Sequence, residues 1–281
     1  MMLLSWRVDR LALLVIPGLL ILLVIYAWPL MNLLVVSFVS DEGQWNLSAY
    51  TEFLTDDYHL TVLWRTLRVA LLTTLLAFII AYPTALTMAN ASERVQSLFL
   101  VAMILPLSVG VIVKAFAWSI LFRTQGFINQ TLMALGVTDA PIRLLFTETA
   151  LVIGAANVFL PFMVLPIYAV LRQLDRSLPD AASSLGASPW FRFRHVTWPL
   201  SLPGVIAGCS LTFSLAVSMY VIPSLIVGER QQTLSMLIAR SYLYLRNEQL
   251  GSTISAILLV IAVSIVLLSS FLVTRHKPRH T

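Results

Sequence analysis

The sequence predicts an all-α integral membrane protein of six transmembrane helices. Of its 281 residues, 59% are apolar and 11% charged, and the mean hydropathy is +0.89, too much apolar surface for one water-soluble core. The apolar residues gather in runs long enough to cross roughly 30 Å of hydrocarbon, which takes about 20 helical residues. The runs also lack the period-two alternation of a lipid-facing barrel strand. No stretch between them is long enough to bury a core of its own, so residues 1–281 read as a single transmembrane domain.

In chain order the spans are expected at 11–39, 66–90, 97–122, 149–171, 201–227 and 251–274. The first follows Arg7 and Arg10 as a signal peptide would, but it is too long for such a segment and has no small-residue cleavage site, so a retained anchor is expected. Trp28, Trp64 and Trp118 lie near span ends as interfacial anchors do, and prolines such as Pro83, Pro106, Pro161 and Pro223 imply kinks that neighbouring helices must satisfy. Ten Lys and Arg, among them Arg94, Arg172, Arg192 and Lys277, flank the spans on the side of the amino terminus, against five on the other: Arg123, Arg143, Arg230, Arg240 and Arg246. Both termini are therefore predicted cytoplasmic. This flanking pattern accounts for the net charge of +5 without a nucleic-acid partner, and the single cysteine, Cys209, excludes an intrachain disulfide and a cysteine-cluster metal site.

A polar island, residues 172–200, separates the fourth and fifth spans. Ser177-Leu178-Pro179-Asp180 reads as a helix start with Ser177 as N-cap and Asp180 completing a capping box. Ala181, Ala182 and Leu185 follow as a small flat apolar face, and Gly186 suits a left-handed C-cap. Ser188-Pro189 then reads as a second N-cap, opening a helix through about His195 that carries Arg192 and Arg194, with Pro199 and Pro203 closing the island and starting the fifth span. Small alanines on such a helix permit close approach by another protein, which a mere connector has no need of.

The series Asp180-Ala181-Ala182, Gly186 and Val196-Thr197-Trp198-Pro199 resembles the EAA loop of ABC importer permeases, with Asp180 in place of the usual glutamate, Val196 of isoleucine and Trp198 of leucine. Lys114-Ala115-Phe116-Ala117-Trp118, Gly126-Phe127-Ile128-Asn129, the span from Leu160 to Tyr168 and Leu202-Pro203-Gly204 look like segments of the permease subunits of spermidine/putrescine importers. The resemblance implies a type I ABC importer permease fold in the inner membrane, one half of a pore, with a cytoplasmic coupling-helix loop between helices 4 and 5. In that reading Asp180, Ala181, Ala182, Leu185, Gly186, Ser188 and Arg192 dock an ABC ATPase dimer, a second permease subunit completes the pathway, and an extracytoplasmic binding protein delivers solute. No catalytic or metal-binding residue is expected in this chain. Its two lysines, Lys114 and Lys277, follow no glycine-rich phosphate loop, so ATP and Mg are expected on the partner ATPase and no cofactor here.

The substrate pathway is less marked. Lys114 and Trp118 share a helix face one turn apart; Asn157, Tyr220 and Arg65 are further polar groups near or within spans, where each faces either a cavity or a neighbouring helix. The resemblance implies a polyamine such as spermidine or putrescine as cargo, but no Asp or Glu lies in a span interior, Glu148 being at an edge, which keeps another small amine, an opine or an organophosphonate as alternatives. The same lack of an acidic relay disfavours an ion-coupled secondary transporter. All four histidines fall outside the spans and no HExxH pair occurs, which disfavours an intramembrane enzyme.

Overall fold

The computed structural model describes residues 10–39, 43–175 and 177–276, of which 10–14, 179–180 and 272–276 by backbone alone. The fold is helical. In chain order it comprises α1 (Arg10–Phe38), α2 (Ser48–Thr55), α3 (Asp57–Asn90), α4 (Glu93–Ser108), α5 (Val111–Leu121), α6 (Phe127–Ala134), α7 (Glu148–Gln173), α8 (Ser177–Ser184), α9 (Pro189–Arg192), α10 (Trp198–Ser218), α11 (Val221–Ile226), α12 (Leu234–Arg240) and α13 (Glu248–His276), with a π-turn at Phe193–Thr197. Five helical stretches are long and apolar enough to cross a membrane, and the bent pair α4–α5 brings the number to six.

Two of the expected spans are interrupted. The third is not one straight helix: α4 and α5 meet at a 96° bend. Pro106, inside the last turn of α4, supplies no amide to the preceding turn, α4 closes with the Val109 amide on the Pro106 carbonyl, and Gly110 takes the N-cap of α5. The fifth stops at Ser218; Met219 is extended, and α11 restarts at Val221 with Pro223 in its first turn, where a missing amide does no harm.

The described residues fall into two compact units. One takes the residues up to Thr55 together with Ile238–Ile257. Within it Ser37 is fully buried, donates to the Leu34 carbonyl at 2.7 Å and shares a hydrogen bond of 2.8 Å with the Tyr50 hydroxyl, while Phe38 stacks on Tyr50 at 5.1 Å.

The other unit takes Asp56–Leu237 and the described residues from Leu258 on, and its core is α3, α7 and α10 packed together. The Asp56 carboxylate caps α3 by accepting from the Tyr58 amide at 2.8 Å, and the Thr147 hydroxyl caps α7 by accepting from the Ala150 amide at 3.2 Å. Along α3, Ala70, Ala77, Ala81 and Ala85 are fully buried. Side chains this small let α7 come close, so Met163, Val164 and Ile167 fill the seam with Met88. Where α10 meets α7, a Cβ on Gly204 of α10 would stand 2.9 Å from the Pro166 carbonyl oxygen and 3.0 Å from the Ile167 Cα. Backbone against backbone, this contact admits glycine only. Arg68 of α3 makes a forked ion pair with Glu148 at the start of α7, its Nε 2.9 Å from Oε1 and its Nη2 on Oε2.

Candidate functional site

The polar island builds a two-helix hook. α8 begins at Ser177, but Ser177 is not the cap: its amide donates to Asp175 Oδ1 at 2.9 Å, and the Leu178 amide reaches the Asp175 carbonyl. These bonds from Ser177 hold the Asp175 carboxyl below the usual carboxylate range. The side chain of Asp180, the expected partner in a capping box, lies outside the described residues. The carboxyl end of α8 closes as a Schellman motif: the Gly186 amide donates to the Ser183 carbonyl at 2.9 Å and the Ala187 amide to the Ala182 carbonyl at 3.0 Å. Gly186 takes φ +81°, the left-handed conformation that this closure requires.

The Ser188 hydroxyl caps α9 by accepting from the Phe191 amide at 3.3 Å, with Pro189 in the first turn. From there the chain departs from expectation. Pro199 and Pro203 do not close the island, because helix runs without interruption from Pro189 to Ser218. The π-turn explains how: the Trp198 amide donates to the Phe193 carbonyl, five residues back, a register shift just ahead of the position where Pro199 has no amide to give. The second half of the hook is thus the first part of a membrane-crossing helix.

Two contacts fix the hook. Arg192 Nη1 donates to Ser183 Oγ at 2.7 Å, joining its two arms. An aromatic cluster then ties it to α3: Tyr82 stands 5.2 Å from Trp198 and 5.9 Å from Phe193 between ring centroids, Trp190 stacks on Phe193, and the Tyr82 hydroxyl shares a hydrogen bond with Ser201 Oγ at 3.0 Å. Phe78, Tyr82, Trp190, Phe193, Arg194 and Trp198 line a cavity of about 610 Å³. Sequence reasoning missed this cluster; its only local signal is the aromatic spacing Trp190, Phe193, Trp198.

The hook also exposes apolar side chains. Leu185 is 88% exposed, Leu178 47%, Trp190 67% and Phe191 50%. Ala181 is exposed as well and Ala182 is half-buried. Leu178, Ala181 and Leu185 recur at helical spacing, so they form one stripe.

Of the expected pathway residues, the fold brings two together: Trp118 Nε1 on α5 donates to Asn157 Oδ1 on α7 at 3.1 Å, while the indole stacks on Phe122 at 5.1 Å. Lys114, one turn before Trp118, is half-buried and its ammonium has no ion-pair partner among the described residues. Arg65 Nη1 donates to the Gln232 carbonyl at 3.3 Å, and Tyr220 stands 45% exposed at the break between α10 and α11. No hydrogen bond or ring contact joins Lys114, Arg65 or Tyr220 to the Trp118–Asn157 pair among the described residues.

Residues 81–280 match the family model described as binding-protein-dependent transport system inner membrane component. The spermidine/putrescine transport system permease protein PotB of Escherichia coli (strain K12) is 34% identical over 215 residues, 76% of this chain and 78% of that protein. Among solved structures, the chain resembles one of a bacterial ABC transporter involved in the import of the acidic polysaccharide alginate, with a TM-score of 0.79 at 16% identity, covering 95% of this chain and 96% of that one. It likewise resembles the bacterial alginate ABC transporter in complex with an alginate pentasaccharide-bound periplasmic protein, at a TM-score of 0.76 and 16% identity over 94% of each chain.

Proposed function

The chain belongs to the binding-protein-dependent transport system inner membrane component family, and from that premise we propose that it forms half of the translocation pathway of an ABC importer for a polyamine such as spermidine or putrescine. It is a multi-pass permease subunit of the inner membrane. The polyamine assignment is supported by the identity with PotB. In this reading the whole chain acts as one permease domain with both termini in the cytoplasm, paired with a second permease chain. Two ATPase subunits beneath it use ATP and Mg, and a periplasmic binding protein delivers the solute, as a periplasmic protein accompanies the alginate transporter.

The observation that carries the coupling role is the uncovered stripe of Leu178, Ala181 and Leu185 on a helix closed at both ends by its own hydrogen bonds. A short surface helix with such a face serves a partner. When ATP closes the two ATPases, the hook follows, and α10, continuous with it, tilts against α3 and α7 to exchange an inward-open for an outward-open cavity. Along the path, the Trp118 ring, held by Asn157, offers a π face to an ammonium. Lys114 sets a like charge one turn away, which keeps a cationic solute from lodging there.

The test is co-purification of the ATPase with Ala182→Arg and Gly186→Asp variants. Both should lose complex formation and transport, and undiminished assembly in both would sink the docking assignment. Thermal stabilisation of the cognate binding protein by spermidine or putrescine tests the cargo separately, and stabilisation by neither would remove the polyamine reading.

A further inference from the structure

α7 is 26 residues long, roughly 39 Å at 1.5 Å per residue, and the segment before it lies at the end remote from the hook. There the chain builds a basic pocket. Its foundation is Asn129, fully buried on α6: Nδ2 donates to the Arg123 carbonyl at 3.1 Å and the Ile142 carbonyl at 2.9 Å, and Oδ1 accepts from the Ile142 amide at 2.8 Å. One side chain thus pins two loops side by side, with Arg123 on one and Arg143 on the other. Gly126 makes the first loop possible, because a Cβ there would stand 2.3 Å from the Leu121 carbonyl oxygen.

Next to them Phe146 takes φ 67°, a left-handed conformation costly for an aromatic residue, held by its amide on the Ile226 carbonyl at 3.0 Å. This geometry sets its ring 5.3 Å from the guanidinium carbon of Arg230. Arg123, Thr124, Gln125, Arg143 and Phe146 line a cavity of about 500 Å³.

Arg123, Arg143 and Arg230 are exposed, and none has an ion pair among the described residues. The nearby carboxylates are otherwise engaged or lack such contacts: Glu148 holds Arg68, Glu229 accepts from Gln232 Nε2, and Asp139 pairs with none of the three arginines. Strain, a buried clasp and two guanidiniums without an ion pair meet at one opening, and Arg230 stands next to it against the Phe146 ring. On α6 and just after it, Phe127, Leu135 and Val137 are 68%, 72% and 64% exposed, apolar area that a small anion cannot use but a protein surface can.

We infer that this pocket is a docking point for an acidic side chain of the solute-delivering binding protein, a carboxylate seated between Arg123 and Arg143 with Arg230 at the edge. The inference rests on the importer reading above for the existence of that partner. Guanidinium forks match a carboxylate in shape and charge, and a fixed basic pocket steers an acidic surface into register.

The experiment uses the assembled importer, with its ATPase and second permease, in phosphatidylcholine vesicles, and measures ATP hydrolysis against binding-protein concentration. Arg143→Glu should raise the half-saturating concentration about fivefold, and Arg123→Glu with Arg143→Glu further still. The basal rate without binding protein should stay unchanged, which also shows that the variants fold, and Arg143→Lys should recover most of the loss. Raising the salt concentration should narrow the gap between wild type and variants. Unchanged half-saturation in both reversal variants, with a responsive wild type, overturns the inference alone. So does a defect confined to solute dependence, or one that appears only with anionic lipid in the vesicles. A wild-type complex indifferent to binding protein removes the importer reading and the inference with it.

Discussion

Replacing Gly186 with alanine tests whether α8 depends on its left-handed closure. Nothing lies within 4 Å of a Cβ built there, so the substitution meets no clash and isolates the backbone term. At φ +81° that term is the crowding of a Cβ against the following carbonyl, about 1–2 kcal/mol for an L-residue. If the chain avoids the strain by leaving the conformation, it forfeits the bonds to the Ser183 and Ala182 carbonyls instead, at about 1 kcal/mol each. Either route shifts the local opening equilibrium of α8 by roughly 5–30-fold. Amide hydrogen exchange across residues 181–187 in the assembled importer reads this directly. Gly186→Ala should speed exchange by that factor, Gly186→Asn should fall between alanine and wild type because asparagine tolerates the left-handed region, and the remote α7 should not change. Equal protection in wild type and Gly186→Ala would refute the role given to this turn, and so would an asparagine variant no better than alanine.

Gly204→Ala should destabilise the detergent-solubilised protein by about 1–3 kcal/mol in thermal unfolding, because its Cβ meets backbone of α7 that cannot yield; Gly18→Ala, with open space around it, serves as the neutral control. Trp118→Phe keeps the stack on Phe122 but removes the indole donor from Asn157, and should cost about 0.5–1.5 kcal/mol on the same assay. Arg68→Ala and Glu148→Gln should each lower stability slightly, and a double-mutant cycle should show coupling of about 1 kcal/mol or less for this partly exposed pair. Asp175 has a folded-state pKa depressed by the Ser177 bonds, so its support of α8 is fully present above the ordinary carboxylate range and is lost as pH falls through the lowered value. Hydrogen exchange at the start of α8 should therefore rise on acidification in wild type, and Asp175→Asn should remove that dependence.

The six spans were legible because apolar run length is a one-dimensional property, and each of the six expected segments has its helical counterpart. What eluded sequence reasoning was the continuity of helices. The run around Pro106-Leu107-Ser108-Val109-Gly110 stays apolar, so hydropathy passes straight over the 96° bend. Conversely, Pro199 and Pro203 mark a boundary between island and fifth span only if helical register is constant, and the π-turn at Phe193–Thr197 changes it, so one helix runs through both. The start of α8 was misread, since Asp175 and Ser177 are both acceptable cap residues and only the backbone puts Ser177 inside the helix with its amide on Asp175. Gly186 and Ser188 were readable because caps and turns are local chemistry. The Tyr82 cluster was not, because Tyr82 and Trp198 are separated by more than one hundred positions and no short-range pattern links them. Asn129 was singled out with Gly126 by resemblance, but its clasp was not legible: two of its three bonds reach a loop 13 residues away and all three go to backbone, which carries no side-chain signature.

The unbroken helix from Pro189 to Ser218 makes the permease a lever rather than a relay. Its arm beyond the π-turn, the 21 residues of α10, spans roughly 32 Å at 1.5 Å per residue, so a swing of about 10° about that turn displaces the far end by about 5–6 Å. A relay of separate helices would lose motion at every joint, whereas a single rod loses it only where it can twist. The one irregular stretch, Phe193–Thr197, lies next to the aromatic anchor on α3, at the fulcrum, where a small change of register re-aims the long arm without bending it. On the importer reading proposed above, a solute held along the long arm would be moved by leverage, at the expense of force.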